Sequence, residues 1–262
     1  MSVNEKMTAI ADAIRDKTGG TEALSLDDMA SSINEVYEAG KKSEYDAFWD
    51  NANLDKVSQC SFSGLCWNDN NFKPPRDIVW GANSAQWSFA RNNITNLKAC
   101  LERQNVKLDL SKAVSFSYIF NGSPTTQLPE LNFTGASALI NIGGSMDKLV
   151  SVDKIILPDE YTPNSTGAIQ MFPHSSKLQH LTIEGPILYS WALSVSPLSV
   201  ESLKSIITHL KDYSEDTEKH YEYTVTFLAA TFETLETEGG TSPNGNTWSE
   251  YIDDLKWNLV KA

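Results

Sequence analysis

Cysteine is scarce in this chain, and long apolar runs are missing. Its 262 residues include only Cys60, Cys66 and Cys100, an odd number without a CxxC pair. That count argues against a disulfide scaffold and against a zinc site, and favours buried, reduced thiols in a chain folded in a cytosol. No apolar run approaches the roughly 18–20 residues that span a bilayer, so no membrane insertion is expected. The polar N-terminal residues do not resemble a signal peptide.

Recognisable catalytic motifs are also missing. The four histidines show no HExxH spacing, and neither GxSxG nor a phosphate-binding glycine loop occurs. Ser145 and Lys148 satisfy SxxK, but the companion KTG motif is absent and so short a match is expected by chance. We therefore predict no catalytic residue, no metal ligand and no cofactor. An enzyme with an unrecognised site is the least favoured alternative.

Negative charge is concentrated at the two ends of the chain. The net charge is −13, which disfavours nucleic acid and anionic membranes as partners. Residues 1–50 hold eleven acidic and five basic side chains, and residues 211–262 hold eleven and four, whereas the residues between them are neutral overall. We divide the chain into a helical attachment segment over 1–50, a repeat region over 51–198 and a C-terminal region over 199–262.

The first region is predicted to be a helical hairpin. One helix is expected over 3–17, ended by Gly19 and Gly20, and a second begins at Ser25. The apolar residues at helical spacing, which we assign to assembly, are Met7, Ile10, Ile14, Met29 and Ile33. A hairpin of this size cannot hold a large core by itself. We expect its apolar face to dock on another subunit, with docking on the rest of its own chain as the alternative.

The middle region contains an LxxLxL repeat. The segments 128–133, 152–157 and 178–183 each have apolar residues at positions one, four and six, and they start 24 and 26 residues apart. A period of about 20–29 residues with this pattern is typical of a leucine-rich-repeat solenoid built of short parallel strands. We therefore predict an α/β fold with a short, irregular solenoid. A generic β-rich domain with coincidental spacing is the alternative.

The C-terminal region is predicted to be an α/β cap, because the last turn of a solenoid needs a cover with a polar outer face. A capping box of Thr247 and Glu250 marks one helix start. The expected elements are helices over 199–211, 229–236 and 247–255 and strands over 223–228 and 257–260.

A binding surface is expected on the open face of the repeat strands. The side chains between the apolar positions are Glu130, Asn132, Lys154, Ile156, His180 and Thr182. Solenoids bind proteins or glycans through such strips, and Ile156 is expected to be an exposed apolar residue there. Plain solvent-exposed surface is the alternative. The tryptophans are expected to be buried rather than to stack on sugars.

Four stretches of the sequence carry a resemblance to known proteins. They are Thr8–Thr21 with Leu26–Ile33, Tyr37–Lys42 with Tyr45–Asp50, Trp67–Pro74, and Leu198–Ile207. They resemble tail-associated proteins of phages and prophages of Gram-positive gut bacteria that carry irregular BspA-like leucine-rich repeats. This chain departs from the repeat pattern over 142–146, where the expected phenylalanine is missing.

The resemblance implies a non-enzymatic tail structural or host-attachment protein of the virion, made in the bacterial cytoplasm without a signal peptide. Its implied partners are other phage tail subunits and, for the solenoid, a host surface protein or glycan. Assembly into a homo-oligomer stays open. The alternative is a bacterial cell-surface or secreted leucine-rich-repeat adhesin, against which the missing signal peptide counts.

Overall fold

A computed structural model gives the fold. It describes residues 3–18, 35, 68–79, 89, 92–112, 115–117, 120–141, 146–163 and 167–262. The chain divides into two compact units, Met1–Ala52 and Asn53–Ala262. The fold is mixed α/β, with five helices and twelve strands lying wholly within the described residues. Of the helices described, none is long and apolar enough to cross a membrane.

In the first unit, Val3–Thr18 form helix α1, which confirms the predicted first helix. Ala11 and Ile14 are buried, whereas Ile10 is 42% exposed. Arg15 forms an ion pair with Asp12 one turn earlier. The two described assembly residues therefore differ in burial: Ile14 is covered, whereas Ile10, four residues earlier on the same face, remains exposed. The side chain of Met7, and Met29, Ile33 and the second helix, lie outside the described residues.

The strands of the second unit pair in parallel. Strands β1 (Ile78–Val79) and β2 (Leu108–Asp109) form one pair, and β3 (Ser115–Ser117) and β6 (Ala138–Asn141) form another. The LxxLxL sheet consists of β4 (Gln127–Leu128), β5 (Leu131–Asn132), β7 (Ser151–Ile156) and β9 (His180–Glu184). In it, β7 lies between β9 on one side and β4 and β5 on the other. Parallel neighbours need a crossover connection, which here is the rest of each repeat.

Rows of apolar side chains hold the LxxLxL sheet together. Successive residues of a strand point to opposite faces, so alternate positions meet their equivalents on the next strand. The two buried rows are Leu128, Val152 and Leu181, and then Leu131, Ile155 and Ile183. All six side chains are at most 3% exposed. The predicted inward positions of the first two repeats are therefore confirmed.

The register of the third repeat differs from the prediction. The LxxLxL alignment placed Leu178 beside Val152, whereas the structure pairs Leu181 with Val152. Strand β7 has two residues between its inward positions, where β9 has only Thr182, so the ladder shifts at this point as it does at a β-bulge. Leu178 is buried in the turn that precedes β9.

Gly185 follows β9 at a point of very close backbone approach. Its φ is +84°, a conformation that side-chain-bearing residues rarely adopt. A Cβ atom there would lie 2.4 Å from the carbonyl oxygen of Leu157. The amide of Leu157 also donates to the carbonyl of Glu184 over 2.8 Å. Glycine is therefore required where the ends of two successive repeats pack against each other.

A second parallel sheet, the C-terminal sheet, has the order β12–β11–β10–β8. Its strands are β8 (Ala168–Ile169), β10 (Ser190–Leu193), β11 (Thr224–Phe227) and β12 (Asn258–Lys261). Strands β11 and β12 agree with the predicted strands to within one residue at each end. Because β8 and β10 precede residue 198, this sheet runs across the boundary drawn between the second and third sequence regions.

An aromatic ladder precedes the strands of the C-terminal sheet. Tyr189, Tyr223 and Trp257 each come directly before a strand, at intervals of 34 residues (189 to 223 to 257). The ring centroids of Tyr189 and Tyr223 lie 5.4 Å apart, and those of Tyr223 and Trp257 lie 5.7 Å apart. Edge-on and tilted rings at such distances attract one another beyond their burial. The C-terminal region is thus itself repetitive, with a period that the sequence analysis missed.

The remaining helices are α2 (Leu97–Gln104), α3 (Val200–Ile207), α4 (Ala229–Glu238) and α5 (Trp248–Asp254). The capping box of Thr247 and Glu250 is present at the start of α5, as predicted. Helix α3 ends four residues earlier than predicted, and Leu210 forms a parallel bridge with Ile187 instead. The hydroxyl of Thr208 donates to the carbonyl of Lys204 at the end of α3.

Candidate functional site

A chain of ion pairs crosses the open face of the LxxLxL sheet. Lys154 Nζ lies 3.1 Å from a carboxylate oxygen of Glu130 and 3.0 Å from one of Glu184. Hydrogen bonds to Glu184 and Glu130 raise the pKa of the Lys154 ammonium above its usual value. The predicted strip residues Glu130 and Lys154 are thus brought together, and Glu184 joins them from a position that the sequence analysis did not select.

Asn132 and Ile156 lie opposite each other on β5 and β7. Asn132 Oδ1 accepts a hydrogen bond from the amide of Thr134, which turns the chain after β5. Ile156 is half-buried, so the expectation of an exposed apolar side chain is wrong. On β9, the residue paired with Ile156 is Glu184. The row formed by Asn132 and Ile156 therefore continues with an acidic side chain. This part of the strip is occupied by local structure and offers few free groups.

His180 and Thr182, the last two predicted strip residues, are exposed and open onto a surface pocket of about 280 Å³. We call it the β9 pocket. It is lined by Ser151, Val152, Asp153, His180, Leu181, Thr182, Ser199, Glu201 and Ser202. Three of these residues come from β7, three from β9, and three from the start of α3. The sequence analysis missed the α3 residues, because nothing in the strand pattern shows which helix packs beside it.

Serine hydroxyls of α3 close the outer edge of β9. Ser202 Oγ accepts from the amide of Leu181 over 2.9 Å, and Ser205 Oγ accepts from the amide of Ile183 over 2.8 Å. The Ser202 hydroxyl also donates to the carbonyl of Gln179. In a longer sheet, a further strand would satisfy these backbone amide and carbonyl groups of β9 and the residue before it. Helix α3 therefore takes the place of the next strand and forms one wall of the β9 pocket.

Helix α2 lies beside β4 at the other edge of the sheet. The buried Thr125 hydroxyl accepts from the amide of Leu97, and Asn96 Nδ2 donates to Gln127 Oε1 over 2.9 Å. From the first turn of α2, Lys98 reaches Asp153 of β7, with 2.8 Å between Nζ and Oδ1. This hydrogen bond raises the pKa of the Lys98 ammonium. The open face of the sheet is therefore bordered by a helix on each side.

A second pocket, of about 380 Å³, lies between α4 and α5 and is rich in acidic groups. Its carboxylates already have partners in the fold. Glu236 accepts from the amides of Trp248 and Ser249, and Glu250 completes the capping box of α5. In the described part of the chain, no group of three or more His, Cys, Asp or Glu side chains is arranged to hold a metal ion. Glu236 therefore joins the two helices, and Glu250 caps the helix that carries it.

Cys100 is a free, buried thiol in α2. Burial and the neighbouring Asp69 carboxylate raise its pKa to about 11, against a smaller opposing effect of Arg103. A thiol with so high a pKa is a poor nucleophile at neutral pH. The expectation of a buried, reduced thiol is confirmed for Cys100, whereas Cys60 and Cys66 lie outside the described residues.

Comparison with known proteins gives no relative from which a function could be inferred. The chain matches no protein-family model, no curated protein and no solved structure. The function must therefore be argued from the parallel sheets, the two helices beside the LxxLxL sheet and the side chains between them.

Proposed function

We propose that this chain is a non-enzymatic phage or prophage tail protein. Its second unit acts as a short, irregular leucine-rich-repeat solenoid that binds a host surface molecule, and its N-terminal helices attach it to other tail subunits. The observation that carries the binding role is the open face of the LxxLxL sheet. That face is polar, lies between two helices, and is supported by two buried apolar rows.

The solenoid part of the proposal is supported by the way the strands stack. A strand of two to six residues cannot bury its apolar side chains alone, and only the next repeat completes the core. Both parallel sheets follow this logic: paired positions are 24 and 29 residues apart in the first (128 to 152 to 181), and 22, 34 and 34 residues apart in the second (169 to 191 to 225 to 259). In the last strand, β12, Lys261 occupies the register position at which Leu193 of β10 and Phe227 of β11 point inward. Its ammonium lies 4.7 Å from the centroid of the Phe232 ring.

The attachment part is supported by helix α1 and by the resemblance of its sequence to tail proteins. Ile10 exposes an apolar side chain on a helix whose other described exposed residues are polar, charged or alanine. An apolar contact made on assembly would remove the remaining 42% of this residue from water, which is worth less than half of the roughly 1.5–3 kcal/mol for complete burial of an isoleucine. Helix α1 therefore offers a specific place at which to test attachment.

The test measures incorporation of the full chain into phage particles. Ile10→Asp is expected to abolish incorporation, because it places a charge in the proposed contact, and deletion of residues 1–52 is expected to do the same. Ala9→Asp is the matched control, since Ala9 is exposed on the same helix and the charge change is equal. Normal incorporation of both the deletion and Ile10→Asp would refute the attachment role. Recovery of the chain on the bacterial envelope instead of in particles would favour the adhesin alternative.

A further inference from the structure

We infer that the β9 pocket binds one sugar ring of a glycan. This inference deepens the proposed binding function and rests on it for its biological setting. Four side chains that line the pocket, those of Ser151, His180, Thr182 and Glu201, make no hydrogen bond or ion pair with any part of the chain that the structure describes. Because these groups are exposed or half-buried, water can satisfy them in the free chain, and a ligand with matching hydroxyls can replace that water where they converge on one depression.

The chemistry of these groups selects the class of ligand. Serine and threonine hydroxyls and the imidazole ring can each donate and accept, whereas the carboxylates of Glu201 and Asp153 only accept. Asp153 uses one oxygen for Lys98, which leaves the other for a ligand. A sugar hydroxyl also donates and accepts, so a ring with several hydroxyls matches this mixed set. An anion would meet two carboxylates, and an apolar ligand would leave the polar groups without partners.

The size and the floor of the pocket agree with a single ring. Sites for drug-sized ligands measure about 300–1,000 Å³, so a pocket of about 280 Å³ suits a smaller group. Val152 and Leu181 line the floor through the strand backbone, because their side chains are 1% and 3% exposed and belong to the buried rows; one face of a ring can lie against this backbone.

The walls of the pocket are fixed by contacts that exist without a ligand. Ser199 Oγ accepts from the amide of Ser202 over 3.2 Å, and the Ser202 hydroxyl holds the edge of β9. The start of α3, which presents Glu201, is thereby held beside the strand that presents His180 and Thr182. Such preorganisation lowers the ordering cost of binding.

The experiment measures binding of the methyl glycosides of glucose, galactose, mannose and N-acetylglucosamine to the full chain, by saturation-transfer NMR and calorimetry. At least one glycoside is expected to bind. Glu201→Gln and His180→Ala are each expected to lower its affinity about tenfold or more, as loss of a hydrogen bond to a charged or ring group does. Glu218→Gln and His174→Ala are the matched controls, because both residues are exposed and neither lines the pocket.

Failure of all four glycosides to bind would overturn the inference, and so would binding that the two pocket variants leave unchanged. Lysine methyl ester serves as a cationic probe. Binding of this probe alone, lost in Glu201→Gln, would assign the pocket to a basic protein side chain instead. The variants are also tested for adsorption to cells of Gram-positive gut bacteria. If the unmodified chain and both variants adsorb equally, the sugar pocket is refuted while the proposed binding function stands.

Discussion

Both parallel sheets of the second unit bury apolar side chains between successive strands, but the two sheets use different side chains to do so. The LxxLxL sheet fills its interior with aliphatic rows and presents charged and polar groups on its open face. The C-terminal sheet buries Trp191 and Phe227, and its outward row in register is Ala192, Thr226 and Val260. Charged side chains are therefore concentrated on the open face of the first sheet, whereas the outward positions of the second, which also include Ser190, Thr224 and Asn258, are mostly uncharged.

The largest effect is expected from Trp191→Ala in the C-terminal sheet. Trp191 is fully buried, and its Nε1 donates to the carbonyl of Met171 over 3.1 Å. Loss of this side chain is expected to lower the free energy of unfolding by about 3–5 kcal/mol, as buried aromatic truncations do. Urea unfolding followed by circular dichroism measures it.

Ile155→Ala in the LxxLxL sheet is the companion variant. One cooperative transition in both variants would show that the sheets unfold together. One transition is expected because both sheets lie in the compact unit Asn53–Ala262, and separate transitions would show that they unfold independently.

Gly185→Ala tests the close approach at the end of β9. Both the positive φ and the nearby Leu157 carbonyl disfavour a Cβ atom, so we expect about 1–3 kcal/mol of destabilisation. Gly240→Ala is the control, because its φ is +68° but no atom lies within 4 Å of the added Cβ. Thermal melting that shows equal losses for the two variants would mean that the backbone conformation alone matters.

Ser202→Ala tests whether α3 closes the edge of β9. The substitution leaves the amide of Leu181 without its acceptor, and a buried group left unsatisfied costs about 1–3 kcal/mol. Amide hydrogen exchange at Leu181 is expected to accelerate. Ser176→Ala, at an exposed serine outside this edge, is expected to change neither quantity. Unchanged exchange at Leu181 in Ser202→Ala would contradict the role given to the hydroxyl.

Alkaline pH is expected to weaken the C-terminal sheet selectively. Burial raises the pKa of Tyr223 to about 12, and it also raises the pKa values of Tyr161 and Tyr213. In the unfolded chain these phenols ionise near pH 10. Because the folded pKa is the higher one, the stabilisation is complete below about pH 10 and is lost as the pH rises towards 12. Tyr223→Phe should reduce this loss, which unfolding followed by absorbance between pH 9 and about 12 would reveal.

The smallest effect is expected from Lys154→Gln on the open face of the LxxLxL sheet. Its ion pairs with Glu130 and Glu184 are exposed to solvent, and such pairs add little to stability. Urea midpoints for the variant and the unmodified chain should agree within error at physiological salt. A large loss would show that the charged row supports the sheet as well as covering it.

Local signals in the sequence were enough for much of the fold. Helix α1, the capping box before α5, and the inward residues of β4, β5 and β7 follow from periodicity and cap chemistry. The register of β9 did not follow, because Leu178 and Leu181 both fit the repeat and only the extra residue in β7 decides between them. The 34-residue period was hidden because its positions hold tyrosine, tyrosine and tryptophan, separated by connections of different helical content.

The sequence predicted the open face of the LxxLxL sheet as the candidate site, but not the pocket or the ion pairs on that face. The alternation of LxxLxL places His180, Thr182 and Lys154 outside, but it does not show which of them are already paired. The pairing depends on Glu184, which a shifted register brings beside Lys154. The pocket next to His180 also needs Glu201, which lies on a helix 21 residues later (180 to 201) and is not paired with any residue that the structure describes. Partners of this kind are set by tertiary packing and leave no local trace in the sequence.

The serine hydroxyls of α3 have a consequence for how such a chain changes over generations. By satisfying the amides of Leu181 and Ile183 themselves, they end one sheet without requiring the next to copy its repeat length. Insertions or deletions in the repeats after α3 therefore leave the strands before it in register. The polar surface and the last two strands, β11 and β12, are therefore free to diverge at different rates.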